Sequence, residues 1–201
     1  QDTSVASDLN QLATGSTKPI TRATALWSLQ ALGSLDSSTL LKGLQDKEFQ
    51  VRKQSLKIAE QYADAKAIQQ QMISLAVDPS LEVQYQAAFS LGAFESSARN
   101  AALADLLKRH AANQWIRMAV QSSLDQGAGE VFEFLIKNNK SLKEKQIQQF
   151  LVALAVQIGA QQEAGNVKRV LAALEALPES HQKLAEILFR NLLSRASNET
   201  K

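Results

Sequence analysis

Two histidines, His110 and His181, are the side chains best suited to move a proton near neutral pH in this sequence. Ser180 precedes His181 and Glu179 precedes Ser180, so serine, imidazole and carboxylate stand in a row. Nucleophilic catalysis needs these groups to converge in space, and neighbours along a helix point in different directions. No nucleophile elbow accompanies them. His110 follows Lys108 and Arg109 at the expected end of a helix, where cations complement the negative end of the dipole. Glu130 and Glu133 fall three apart, as acidic pairs on exposed helices commonly do. No His, Asp or Glu cluster has ligand spacing, so no metal is expected. Gly127-Ala-Gly129 reads as a turn and not as a phosphate loop. The sequence contains no cysteine, which excludes disulfides, thiolate zinc sites and thiol nucleophiles. No catalytic, cofactor-binding or metal residue is therefore nominated, and no cofactor or small-molecule ligand is expected.

Residues suited to binding are easier to find. Lys137, Lys140, Lys143 and Lys145 form the densest basic stretch, which reads as a solvated loop or an acidic-partner patch. Trp27 and Trp115 are the rarest residues, with two tryptophans in all. Both are assigned to packing between repeats, since each adjoins aliphatic residues; an exposed tryptophan would instead mark an interface. Gln69, Gln70 and Gln71 offer uncharged hydrogen bonding on a concave surface. The net charge is +2, from −1 over residues 1–100 and +3 over 101–201. Nucleic-acid binders carry a stronger basic stripe, so no nucleic-acid partner is expected.

The elements that must hold these residues are helices. Ala, Leu, Gln, Glu and Lys dominate, and they lose little side-chain entropy in a helix. Asp46-Lys-Glu-Phe-Gln-Val51-Arg52 returns 32 residues later as Asp78-Pro-Ser-Leu-Glu-Val83-Gln84. Asn113-Gln-Trp-Ile116-Arg117 is a third copy, and Thr21-Arg22 an earlier one. Downstream, Ala25, Ser55, Ala87 and Val120 align, as do Leu29, Ala59, Leu91 and Leu124. Each unit reads as a hairpin. First helices are expected at Thr21–Ala31, Phe49–Ala63, Leu81–Gly92 and Gln114–Asp125. Second helices are expected at Ser38–Leu44, Ala65–Val77, Arg99–Ala111 and Gly129–Asn138. Three more are expected at Leu142–Ile158, Asn166–Leu177 and Ser180–Ala196, punctuated by Gly159 and Pro178. Asp46 and Asp78 should cap the helices that follow, Pro79 should occupy a first turn, and Gly33, Gly92 and Gly127 should end helices in the left-handed conformation. The ends, up to about Ser4 and from Ser197, should fray. A hairpin cannot bury its apolar face alone, so several must stack.

The Asp-x-x-x-x-Val-Arg element opening such a hairpin resembles the HEAT repeat over about Lys18–Asn138, with Gln84 and Asn113 departing from its Arg and Asp. The resemblance implies an all-α, right-handed α-α superhelix, a HEAT-like solenoid. Residues 1–140 would form two-helix repeats, and 141–201 would continue the stack as a divergent unit. Arg22–Asp36, Asn113–Leu124 and Leu151–Leu174 are also similar to the HEAT-like region of bacterial putative membrane-bound dehydrogenases. Those resemble sorbosone dehydrogenases and carry a c-type cytochrome domain. That similarity implies an extracytoplasmic, periplasmic spacer of a multidomain oxidoreductase, not an enzyme on its own. The haem-attachment motif is absent here. The expected role is a non-catalytic scaffold for proteins or neighbouring domains, with a HEAT-like nucleic-acid binder as a further alternative. The first twenty residues are too polar for a signal peptide, the start at Gln1 fits a fragment or processed product, and the apolar run Phe150–Val156 is too short to span a bilayer.

Overall fold

The computed structural model describes residues 3–137 and 141–194. Among them are twelve α-helices, five 3-10 turns and no strand. The protein is all-α. The helices are α1 (Thr3–Gly15), α2 (Pro19–Ala31), α3 (Ser37–Leu44), α4 (Phe49–Ala59), α5 (Lys66–Ser74), α6 (Leu81–Ser90), α7 (Ser97–Arg109), α8 (Gln114–Ser122), α9 (Ala128–Ile136), α10 (Lys145–Gln161), α11 (Ala164–Glu175) and α12 (Gln182–Leu193).

The chain divides into two compact units, Gln1–Phe94 and Glu95–Lys201. In the first unit, α2, α4 and α6 pack in sequence as one layer, and α1, α3 and α5 form the other. In the second unit, α7, α9 and α11 form one layer, while α10 and α12 pack together beside them. The aligned positions Ala25, Ser55, Ala87 and Val120 are all buried, as are Leu29, Ala59, Leu91 and Leu124. Each fully buried Leu contributes roughly 1.5–3 kcal/mol, so the recurring apolar positions outweigh the slight intrinsic stability of helices this short.

One tether recurs at the start of these helices. Arg22, Arg52, Gln84, Arg117 and Gln148 each donate to the backbone carbonyl six residues earlier, those of Ser16, Asp46, Asp78, Ala111 and Leu142. The bond closes the loop that enters the helix and satisfies a carbonyl without a helical partner. Gln84, a departure from the Arg pattern, keeps it at 2.6 Å. Gln148 lies 31 residues after Arg117, so α10 opens a further copy in register.

Arg22 and Arg52 also reach forward. Arg22 grips both carboxylate oxygens of Asp46 at 2.6 Å. Arg52 does the same to Asp78 at 2.6 and 2.8 Å. The four side chains are nearly buried. Asp46 and Asp78 therefore tie repeats together, and do not cap as expected. Glu48 and Ser80 stand at the N-caps without side-chain cap bonds, while from the backbone each Asp accepts the N–H two residues on. Burial pushes the Asp46 carboxyl up, but the Arg22 bond and the Glu48 N–H outweigh it and leave it below its usual value. The Asp46 bond raises Arg22. True side-chain caps occur at Asp36, Ser96, Asn113 and Glu163.

Other expectations need correction. Residues 3–15 form α1, for which no helix is expected; Leu9, Leu12 and Ala13 have helical spacing there. Pro79 precedes the N-cap Ser80, and Pro19 instead takes the first turn of a helix. Gly33 is left-handed after α2, but Gly92 lies inside a 3-10 turn, and left-handed Gly127 begins α9 instead of ending α8. Gly159 lies within α10, where it lets the α12 backbone at Leu192 approach. Helices expected to run to Ala63, Val77 and Gly92 end at Ala59, Ser74 and Ser90, and each continues as a 3-10 turn. The tighter winding turns the chain sharply into a short connection. The helices expected at Leu142–Ile158 and Ser180–Ala196 begin later, at Lys145 and Gln182, each after a 3-10 turn. Asn138, Lys140 and the tail from Arg195 lie outside the described residues.

Candidate functional site

Ser180 Oγ and His181 Nδ1 lie 3.1 Å apart, closer than adjacent helix positions would place them, because both sit in the 3-10 turn Glu179–His181 before α12. The pair is at the surface, and no carboxylate bonds His181 among the described residues. His110 is the C-cap of α7. Burial and nearby Arg109 hold its imidazole below the usual value, so the expected cation at this helix end is supplied by Lys108 and Arg109 instead. Among the described residues, no group of three or more His, Asp or Glu is placed to hold a metal ion.

Glu130 and Glu133 both lie on α9 but face different partners. Glu130 accepts from Ser97 at 2.5 Å and from Asn100 at 2.7 Å, both on α7. Burial pushes Glu130 up, and those two bonds outweigh it, leaving it below its usual value. Asn100 in turn accepts from the buried Arg99, whose guanidinium also reaches the Ser123 and Gln126 carbonyls. Glu133 instead pairs with Lys137 at 2.6 Å and with Arg169 of α11 at 3.2 Å. The Lys137 bond is the main reason its carboxyl stays below its usual value. The two acids thus fasten α9 to both of its layer neighbours.

Trp27 and Trp115, expected from the sequence to pack between repeats, are instead at the surface, 36% and 57% exposed. On α2 the buried face is Arg22, Ala23, Ala25, Leu26 and Leu29, and Trp27 points off it to donate its indole N–H to Gln54 of α4. On α8, Ile116, Ala119 and Val120 are buried, which turns Trp115 and Met118 outward together. In the first unit Phe89 is also exposed, edge-on to Tyr85 at 5.0 Å between ring centroids. Phe89 holds the same place relative to Gln84 as Trp27 does to Arg22, a register visible in the sequence. Of the glutamines, Gln69 closes a loop on the Ala63 carbonyl and Gln71 accepts from Gln45, the C-cap of α3; both are half-buried, and Gln70 is exposed.

The second unit carries a groove of about 730 Å³ along α9 and α11. Ile136 and Ala173 are its buried floor, Ala172 and Ala176 its small-residue wall, and Leu177 and Pro178 close one end. Lys137, Lys168, Arg169 and Glu133 form the rim. Among the described residues of the basic stretch, Lys137 alone lines the groove; Lys143 and Lys145 are exposed at the approach to α10. Lys168 and Arg169 were missed in the sequence, since they are remote from that stretch and reach it only through the pairing of α9 with α11.

Stacked hairpins with aligned cores and a recurring Arg or Gln tether define a helical-repeat protein. Residues 37–125 match the family model described as HEAT repeats. No curated protein matches the chain in sequence. Among solved structures, the crystal structure of an engineered protein from the Northeast Structural Genomics Consortium is 19% identical, covering 94% of this chain and 89% of that one at a TM-score of 0.38.

Proposed function

We propose that the chain is a non-catalytic scaffold that holds protein partners or neighbouring domains. HEAT repeats commonly serve that role, and the observation that carries the reading here is the outward pair Trp115 and Met118, 57% and 59% exposed on a helix whose other face is packed. Large apolar side chains grouped on one exposed face cost solubility and mark contact surfaces. The test is chemical cross-linking of the tagged chain in extract of its source cells. The wild-type chain should capture a discrete set of proteins that Trp115→Ala/Met118→Ala loses while keeping its circular dichroism and Tm. Identical sets from both forms, or none from either, would count against a scaffold acting through this face.

A narrower reading makes the chain the helical spacer of a multidomain extracytoplasmic dehydrogenase that also carries a cytochrome. It is favoured by the similar segments including solvent-exposed Trp27 and Trp115, which the core does not require. The gene on either side decides it: propeller repeats upstream or Cys-x-x-Cys-His downstream would support it, and natural start and stop codons at these ends would reject it. Titration with duplex DNA at low salt addresses the nucleic-acid alternative, for which no binding is expected.

A further inference from the structure

We infer that the groove between α9 and α11 is a docking site for an acidic amphipathic segment of a partner protein, an inference that rests on the scaffold reading. Two features select this occupant. The first is shape. The wall from Gly165 to Ala176 runs along three turns of α11, about 16 Å at the rise of an α-helix. That length suits a peptide of ten or so helical residues better than a compact metabolite. Ala172 and Ala176 keep the wall low, so a backbone can come close, and Ile136, Ala173 and Leu177 offer apolar surface to its inner face.

The second feature is charge. Lys137, Lys168 and Arg169 face a single rim carboxylate, Glu133, which divides its two oxygens between Lys137 and Arg169. Lys168 is exposed, and Lys137 and Arg169 remain largely open to solvent even while paired. A partner carboxylate would meet a rim with two net positive charges and would displace no buried ion pair. Such rim charges act chiefly on encounter rate and on the choice of partner, so the recognition should be sensitive to salt.

The test uses the full chain and a fluorescein-labelled twelve-residue helical peptide with Leu on one face and Glu on the other, beside the same peptide with Lys in place of Glu. Fluorescence anisotropy should show the acidic peptide binding at least about tenfold more tightly than the basic one, a difference of roughly 1.4 kcal/mol. Lys168→Glu and, separately, Ala172→Trp should each weaken it about as much, the first by charge and the second by filling the groove. Lys57→Glu, on α4 in the other unit, should leave it unchanged. Each variant is exposed at the surface, and unchanged circular dichroism verifies its fold. Equal binding of the two peptides, or undiminished binding to both groove variants, would overturn the inference. The cross-linking experiment separates the two ideas: partners lost with Trp115→Ala/Met118→Ala but retained by Lys168→Glu would leave the scaffold standing and remove the groove from it.

Discussion

Ser55 shows how much a single atom can reveal in a repeat. Its Oγ is fully buried and has no hydrogen-bond partner among the described residues, while the equivalent positions in neighbouring copies hold Ala25 and Ala87. A buried hydroxyl without a partner carries a desolvation penalty of about 1–3 kcal/mol. Ser55→Ala should therefore raise stability by on the order of 1 kcal/mol in urea unfolding; a loss of that size would show that the hydroxyl is satisfied in solution. The Arg52–Asp78 pair gives the opposite sign. Removing one partner strands a buried charge, so Asp78→Asn should destabilise by about 3 kcal/mol, and combining it with Arg52→Met should cost less than the sum of the two single changes. Strict additivity would mean that the two side chains do not act as a pair. The sequence shows that these Asp and Arg positions recur, but not that they join to each other. A cap and a tie between repeats ask for the same residue types at the same spacing, and only the packing of α2 on α4 and α4 on α6 tells them apart.

At the scale of the element, the helices from α2 onward were legible, and so were starts such as Phe49, Leu81 and Gln114, but several helix ends were not. The apolar spacing that identifies α4 to α9 survives because each buried face must meet a neighbour within its own unit. Ends depend on which turn the connection needs, and the 3-10 windings after α4, α5 and α6 leave no compositional mark. The first helix was missed for lack of a repeat partner upstream to align with it. The tryptophans misled for a different reason: an aromatic beside Leu or Ile has a packed neighbour, yet the next position on a helix is turned by about 100°. The groove was half legible, since Lys137 stood in a visible basic stretch while Lys168 and Arg169 needed the fold to bring them near. Gly159 carries an element-scale prediction. A β-carbon there would overlap the Leu192 carbonyl oxygen, part of a backbone that cannot swing aside. Gly159→Ala should separate α10 from α12 and lower stability by about 1–3 kcal/mol in spite of the better helix propensity of alanine. An unchanged Tm would mean the helices are farther apart than described.

For the whole molecule, the carboxylates set the response to acid. Asp36, Asp46, Glu130 and Glu133 all sit below their ordinary values in the folded chain. For Asp36 the leading cause is the Ser38 hydroxyl, followed by the Thr39 N–H. A lowered folded pKa means that the unfolded chain takes up protons first. The stability these groups provide is complete above the unfolded carboxylate values of about 4 and is lost as pH falls through the lower folded ones. The urea midpoint should dip slightly between neutral pH and about 5, where the unfolded chain protonates His110 before the folded one does, and then decline more steeply toward about 3. Asp46→Asn should flatten the decline in proportion to its share. A midpoint that rises on acidification would contradict the assigned bonds.

The tether from each Arg or Gln to the carbonyl six residues behind has an evolutionary corollary. It is completed within a single copy, whereas the grip on the next aspartate needs two. Gln84 and Gln148 retain the inward bond, which a glutamine amide can make, without the forked cation of an arginine. A duplicated segment can accordingly exchange its Arg for Gln and still shape its own corner. Arrays assembled this way can lengthen, shorten or diversify one hairpin at a time.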